Sequence, residues 1–411
     1  MRVARHAGTG AVQTGRPEAI VLGGLVNGLS VVRSLAKAGI RPILVSNDRD
    51  LATRSRYVRP HLVPEYNETL VDELLRLRQE LAFGPVLICA QDAPLLAISK
   101  YRERLAPHFK FQDFPPHEKL VELGHKDRFF QVAQEGRFPV PSTLLVRSHG
   151  DLSGISQLRL PLCVKQNGHS KIYERTFKKA YRVESHAEAQ ALCARILDVT
   201  GEVLVQEWIE GTNDSIYFSL CYMTRSKPVV FTGRKGRSWP PQIGVTASCW
   251  AAPEAAEELE DLTVRYFRHV GFTHGFCSME FKRDQRDGRF LMVEPTVGRT
   301  NGQIEISALC GINLCHVAYC DLAGLPRPPL RLDPTHVWRD EFTDALAARM
   351  LGTDCAYPPR HRIHNAFWRW DDPFPALSAA SDFAGRGFRR LGRAAGGLWP
   401  LNQLPSYQRI S

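Results

Sequence analysis

The chain has 411 residues, more than a single hydrophobic core usually organises, so two or three packed units are expected. Its formal charge of +10 would suit a nucleic-acid or membrane partner if spread over a folded face, but eight of those ten charges sit in two acid-free ends. Arg2, Arg5 and Arg16 fall in residues 1–16, and Arg386, Arg389, Arg390, Arg393 and Arg409 in residues 383–411. The nearly neutral body argues against a nucleic-acid groove, and the ends read as solvated basic tails.

In chain order, MRVARHAGTGAVQTG has no apolar core and does not read as a signal peptide. AIVLGG (19–24) predicts a buried strand, GLSVVRSLAKAG (28–39) a helix closed by Gly39, and RPILVSND (41–48) a second strand. ETLVDELLRLRQELA (68–82) predicts an amphipathic helix, PVLICA (85–90) a strand and APLLAISKYRERL (93–105) a helix. This alternation predicts an α/β unit over 17–115 on a parallel, Rossmann-like sheet with right-handed crossovers. Residues 115–146 hold two short helices, a Pro-flanked turn and a strand, and the changed rhythm places a boundary there. An α+β unit over 116–325 follows. Its strands are LPLCVKQN (160–167), KKAYRVES (178–185), EVLVQEWI (202–209) and DSIYFSLCYMTRSKPVVFTG (214–233), and its helices span 186–197 and 253–270. The hairpin GFCSMEFKRDQRDGRFLMVEP (275–295) and a helical 301–324 complete it. Residues 326–411 read as an irregular extension, rich in proline and tryptophan and ending in the basic tail. Ten cysteines without a C-x-x-C pair fit a reducing, cytoplasmic setting. In CGINLCHVAYC (310–320), five-residue steps turn each thiol by about 140° around a helix, which favours buried small side chains over a metal site. No run of about 18 apolar residues offers a membrane span.

If the hairpin turn centres on Asp287 and Gly288, Glu280 and Glu294 stand almost opposite each other on one face of adjacent strands. Facing carboxylates repel unless a cation lies between them, and Mg²⁺ is typically held by one or two carboxylates and completed by phosphates. The alternative is a solvated face with salt bridges to Lys282 or Arg289. Lys126 in HKDRFF and Lys165 at the end of PLCVK are cations beside apolar neighbours, suited to neutralise a phosphate or to lie at the surface. VLVQEWIEGTND (203–214) joins an apolar strand to a polar turn whose backbone suits an adenine edge, with Asp214 placed to meet a ribose or to form the turn. QNGHSKIYERTFKK (166–179), with Gly168, His169 and Ser170, fits either a flap over a triphosphate or an exposed loop. FTGRKGRSWPPQIGVTAS (231–248) reads as a Gly- and Pro-rich connection. Its Arg234, Lys235 and Arg237, augmented by Lys227, lack balancing acids nearby and suit a carboxylate or acyl phosphate.

Taken in this order, residues from about 116 to 325 resemble the ATP-grasp superfamily, and most of all its D-aspartate ligase-like carboxylate–amine ligases. The resemblance rests on Lys126, on PLCVK ending in Lys165, on VQEWIEGTND, and on SMEF followed by MVEPTVGR. It implies that Lys126 and Lys165 contact nucleotide phosphates, that Gln206, Glu207, Trp208 and Ile209 pass the adenine, and that Asp214 meets the ribose. It further implies that Glu280 and Glu294 bind one or two Mg²⁺ ions, with Mn²⁺ as a substitute. The superfamily's E-x-N at the second metal strand is E-x-T here, so Thr296 stands at the third ligand position, with Asn301 and Glu305 as alternative donors. Arg299 matches the arginine that stabilises the transferred phosphate, and Arg234 and Lys235 join it in the catalytic set. The implied architecture is α/β plus α+β: a Rossmann-like N-terminal domain, a central ATP-grasp domain and an irregular C-terminal extension. The implied activity is formation of an amide or peptide bond from a small-molecule carboxylate and an amine through an acyl phosphate, releasing ADP and phosphate.

Two other functions compete. GGLVNG (23–28) after a strand suggests a dinucleotide-dependent oxidoreductase, but it is not G-x-G-x-x-G, and Asp48 and Asp50 match only loosely the expected ribose acceptor. A non-catalytic ATP-binding module is the other. With a nucleotide site supplied later in the chain, Gly23, Gly24, Asn27 and Gly28 either line the substrate side of the cleft or let strand and helix pack closely. Residues 326–411, including Asp371 and Asp372, close the acceptor site or form a subunit contact in a homo-oligomer on two equally open readings.

Overall fold

The structure, a computed structural model, describes residues 15–47, 50–167, 171–178, 180–241, 244–352 and 357–379. Most of both basic tails, Asp48, Gly168, His169, Ser170 and Cys355 lie outside these residues, and so does the side chain of Lys126.

Strands β1 (Ala19–Leu22), β2 (Ile43–Ser46), β3 (Arg59–Leu62) and β4 (Val86–Cys89) form a parallel sheet of order β3-β2-β1-β4. Helices α1 (Leu25–Ala36), α2 (Glu68–Gln79) and α3 (Asp92–Lys100) follow their strands, and the single turn α4 (Arg102–Leu105) closes the series. β1, β2 and β4 are buried on both faces, which is why they appear as unbroken apolar runs. β3 is mostly exposed and contains Pro60, the composition of an edge strand, and gave no apolar signal.

Helices α5 (His117–Leu123) and α6 (Lys126–Glu135) lead to a small lobe. It contains β5 (Thr143–Val146), β6 (Leu162–Lys165), α7 (Lys171–Thr176), β7 (Ala180–Val183), α8 (His186–Thr200) and β8 (Val203–Glu207). Its antiparallel sheet runs β5-β8-β6-β7, and alternation sends Leu162, Val164, Val203 and Val205 into a core with Ala189, Cys193 and Ile196 of α8.

The largest sheet carries β9 (Ile216–Met223), β10 (Val229–Trp239), β11 (Val245–Ala251), β12 (Gly275–Arg283), β13 (Phe290–Val297), β14 (His336–Arg339) and β15 (Arg362–Asn365). The order is β13-β12-β9-β10-β11-β14-β15, antiparallel except for the parallel β14–β15 pair. Helices α9 (Ala256–His269), α10 (Glu305–Leu309), α11 (Leu314–Ala323) and α12 (Glu341–Leu351) complete the chain's regular elements. Along β9, Tyr217, Cys221 and Met223 enter one core with α6 and α9, while Phe218, Leu220 and Tyr222 enter another with α1 and α11. Both cores also take residues from β1. Among the described residues, no helix is long and apolar enough to cross a membrane.

Two segments differ from expectation. FTGRKGRSWPPQIGVTAS is no connection: it forms β10 and β11, with the two prolines at the turn. Its glycines serve packing, since a Cβ on Gly233 would lie 2.5 Å from the Phe218 ring and one on Gly236 2.4 Å from the Trp250 ring. The C-terminal extension, for its part, supplies β14, α12 and β15 and adds two strands to the sheet. It is anchored by a buried ion pair between Arg33 of α1 and Asp372 at 3.0 Å. Arg33 also donates to the carbonyls of Ala366 and Phe367 at 2.5 and 3.0 Å, and Asp372 accepts from Ser55 Oγ and the Arg56 amide at 2.9 Å each. Asp371 accepts from the Tyr57 hydroxyl. Both aspartates are therefore engaged within the chain.

Removing one partner of a buried pair leaves an uncompensated charge, so Arg33→Met should lower stability by about 3–5 kcal/mol in urea unfolding. Arg33→Met combined with Asp372→Leu should recover much of that loss.

Candidate functional site

Glu280 of β12 lies in register with Glu294 of β13, and Ser278 with Thr296. The period of two along each strand puts these four side chains on one face of the sheet. Arg289 is taken by Asp287 at 2.7 Å and Lys282 lies over the Trp208 ring, so neither serves as the salt-bridge partner considered for the glutamates. A cation reaches Glu280 from two strands away: Lys235 Nζ of β10 is 2.7 Å from Glu280 Oε2 and also donates to the Gly244 carbonyl at 3.3 Å. Its side chain is almost fully buried, so it offsets the Glu280 carboxylate at short range in a poorly screened setting.

Asn301 is placed beside the pair. It accepts from Ser278 Oγ at 2.7 Å and donates to Thr296 Oγ1 at 3.2 Å. Glu305, the other alternative donor, is buried and held by Arg369 at 2.9 Å. Arg299 is anchored through Nε to Asp92 at 2.6 Å and through one terminal nitrogen to the Thr300 carbonyl at 3.0 Å. Arg234 bonds the Asp214 carbonyl at 2.8 Å and its carboxylate at 3.3 Å, with Glu254 at 3.9 Å and the Tyr217 ring at 5.3 Å. Arg237 is buried against Asp344 at 3.0 Å. The three cations of this stretch thus each have a carboxylate partner, supplied by residues remote in sequence, and the expected local excess is internally balanced.

On the small lobe, Lys165 ends β6, donates to Gln206 Oε1 at 3.0 Å and lies 5.1 Å over the Phe130 ring. Gln206 in turn donates to Thr143 Oγ1 at 2.7 Å, which fixes its amide orientation. Glu207 accepts from the Arg159 amide at 3.0 Å. Trp208 donates its amide to Pro161 and accepts from Arg286 at 3.0 Å on its carbonyl, and Ile209 beside it is buried. Asp214 is exposed and accepts from the Thr212 hydroxyl. α6 begins at Lys126, which places that residue's backbone at a helix start.

The sequence offers Lys282 only as a surface partner, yet it is 7% exposed and burial lowers its pKa to about 8, against the opposing pull of Glu210. The missed signal is its spacing: two residues beyond Glu280 on one strand means the same face. Among the described residues, no group of three or more His, Cys, Asp and Glu forms a metal cluster.

The glycine loop has an internal occupant. A Cβ on Gly24 would lie 1.8 Å from Asp50 Oδ2, and one on Gly28 2.3 Å from the Gly23 carbonyl. The Asp50 carboxylate accepts from Ser46 Oγ at 3.0 Å, from the Ala52 amide at 2.8 Å and from the Leu25 backbone at the start of α1. It fills the anion position that a dinucleotide pyrophosphate would need. The loop glycines therefore serve close packing, while Asn27 donates to the Ala90 carbonyl at 3.0 Å.

No family model matches the chain. It is 23% identical over 316 residues to a D-aspartate ligase of Enterococcus faecium (strain Aus0004), covering 72% of this chain and 74% of that protein. It is also 23% identical over 300 residues to the carbamoyl phosphate synthase large chain of Micrococcus luteus, covering 67% of this chain but only 25% of that longer protein. An L-amino acid ligase from Bacillus licheniformis superposes with a TM-score of 0.57 at 15% identity, covering 79% of each chain. An ADP complex of N5-carboxyaminoimidazole ribonucleotide synthetase superposes at 0.58 with 14% identity, covering 78% of this chain and 81% of the other. The chain has the ATP-grasp fold and resembles carboxylate–amine ligases.

Lys235→Met should leave Glu280 facing Glu294 without its counter-charge and cost about 2–3 kcal/mol in urea unfolding. Adding Glu280→Gln should restore most of the loss; equal stability of wild type and Lys235→Met would show that the pair carries no such role.

Proposed function

We propose that the protein is an ATP-dependent carboxylate–amine ligase that joins a small-molecule carboxylate to an amine, releasing ADP and phosphate. The observation that carries this reading is the register pairing of Glu280 with Glu294 on one face. The donor set fits Mg²⁺: two carboxylates, the Thr296 hydroxyl and the Asn301 amide are hard oxygen ligands, and a site with few protein ligands leaves room for phosphate and water. Mg²⁺ held there would neutralise phosphate oxygens, and Mn²⁺ shares the same ligand preference. Nothing in this arrangement calls for a nucleic-acid partner.

The chain's own residues supply position and charge. Lys165, steadied by Gln206 and Phe130, presents its ammonium to the nucleotide phosphates, joined by Lys126 at the start of α6. Gln206 to Ile209 form the edge along which adenine lies, and Asp214 accepts from the ribose. Arg299, fixed on one side by Asp92, turns its remaining nitrogen toward the transferred phosphoryl group. Arg234 and Lys235 lie on the carboxylate side. A substrate carboxylate oxygen attacks the γ-phosphorus, the bond to ADP breaks, and an acyl phosphate forms. The amine nitrogen then attacks the acyl carbon, phosphate leaves with the bonding electrons, and the nitrogen loses a proton to give the amide. Phosphoryl transfer of this kind depends on alignment and charge stabilisation more than on covalent help from the protein.

A second reading, an ATP-binding module without turnover, is favoured by Thr296 in place of the usual asparagine. The two separate in an assay of ADP release with MgATP and pools of carboxylates and amines. The ligase reading expects release that requires both co-substrates, and Glu294→Gln should lower kcat by about 100-fold without lowering the urea midpoint. ATP binding without turnover across the screen supports the module, and a folded protein that binds no MgATP overturns both.

A further inference from the structure

A pocket of about 430 Å³ opens between α4, the turn from β9 to β10, the residue before β12 and the end of α11. Phe109, Lys110, Arg225, His274, Asp321 and Leu322 are among the side chains that line it. None of the residues given above to nucleotide, metal or phosphate does so. β12 starts one residue after His274 and carries Glu280 five steps further on, about 17 Å at the rise of a strand. The pocket is therefore distinct from the catalytic cleft, and its volume suits a small molecule.

Its lining carries charges of both signs that do not pair with each other. His274 is buried, and its Nδ1 accepts from the Asp113 amide at 2.9 Å. The ring hydrogen is therefore on Nε2, which donates to Asp321 Oδ2 at 2.8 Å, and the buried Tyr222 hydroxyl donates to the same oxygen at 3.0 Å. With His274 in that tautomer, Asp321 has no cation beside it, and its Oδ1 has no hydrogen bond among the described residues. Arg225 is exposed and has no hydrogen bond or ion pair among the described residues. Lys110, also exposed, makes one long side-chain bond among them, to the Ala323 carbonyl at 3.5 Å. The other charges of the lining, Arg102 and Asp113, satisfy each other at 3.2 Å.

We propose that this pocket is a second binding site, for a free α-amino acid held as its zwitterion. The ammonium donates to Asp321 Oδ1, the carboxylate accepts from Lys110 and Arg225, and an uncharged side chain lies against Phe109 and Leu322. A ligand that carries both charges gives each side of the lining its partner through charge-assisted hydrogen bonds. A simple anion would leave Asp321 unmatched, and a simple amine would leave the two cations so. His274 and Tyr222 hold the Asp321 carboxylate in place before the ligand arrives, which lowers the ordering cost of binding. The inference stands on the pocket alone and does not depend on the ligase reading.

Isothermal titration calorimetry of the full chain without nucleotide tests it. The probes are L-leucine, D-leucine, N-acetylleucine, which lacks the ammonium, and leucinamide, which lacks the carboxylate. At least one leucine enantiomer should bind, and both blocked analogues should bind about ten-fold more weakly or worse, since each forfeits a charge-assisted contact. Arg225→Ala and Asp321→Asn should each weaken leucine by about ten-fold. Arg225→Ala alters an exposed side chain and should keep the wild-type urea midpoint, so it decides the matter even where Asp321→Asn folds poorly. Failure of both enantiomers to bind, equal binding of either blocked analogue, or wild-type affinity in a folded variant overturns the proposal and leaves the ligase reading intact. A wild type that binds leucine here but no MgATP overturns the ligase reading and supports this site.

Discussion

Two like charges face each other across paired strands. An antiparallel pair penalises such an arrangement, and Glu280 opposite Glu294 is sustained by a cation imported from β10. Lys235 reaches Glu280 across the intervening β9, and just beyond it the pairing of β10 with β11 shifts register on both sides of Arg237. β10 also lies close to its neighbours, which is why Gly233 and Gly236 stand where the Phe218 and Trp250 rings leave no room for a side chain. The glycines, the bulge and the buried lysine form one device. What it preserves is a pair of carboxylates side by side on one face of a folded sheet.

How much of this was legible in the sequence depends on how local the cause is. Buried strands such as β1, β2 and β4 declare themselves by their apolar runs, and Asp287–Gly288 between two alternating segments sets the hairpin that brings the glutamates together. β3, β14 and β15 are short, and β3 and β15 are largely exposed, so no local pattern marked them. The charge balance was invisible for a different reason: Arg237 finds Asp344 107 positions away, and Arg33 finds Asp372 339 positions away. A run of cations looks unbalanced until the fold returns its acids. Lys282 illustrates the remaining gap, since alternation gives the face of a strand but not the depth of that face below the surface.

The first glycine loop shows that a backbone shape and its occupant are separable. A strand, a tight turn and a helix start produce converging amides whether or not a ligand is present. Here Asp50 completes the cluster from within, and its burial raises its pKa while the hydrogen bonds to it act in the opposite direction. A turn that elsewhere would hold phosphate has become a joint between strand and helix.

The clamp of Arg33 on Asp372 also has a mechanical meaning. Two of the three cores are shared between the parallel sheet and the seven-stranded sheet, and the clamp ties the last described segment back onto α1, so these layers are packed on one another. The third core lies within the small lobe, whose Leu204 and Leu145 also pack into the first. That lobe touches the hairpin turn through polar tethers, among them Arg286 on the Trp208 carbonyl and the Gln285 amide on the Glu210 carbonyl. Hydrogen bonds at a turn yield at lower force than a shared apolar core. The small lobe is therefore joined to the rest in two ways, by polar contacts at the hairpin tip and by Leu204 of β8, which enters the first large core.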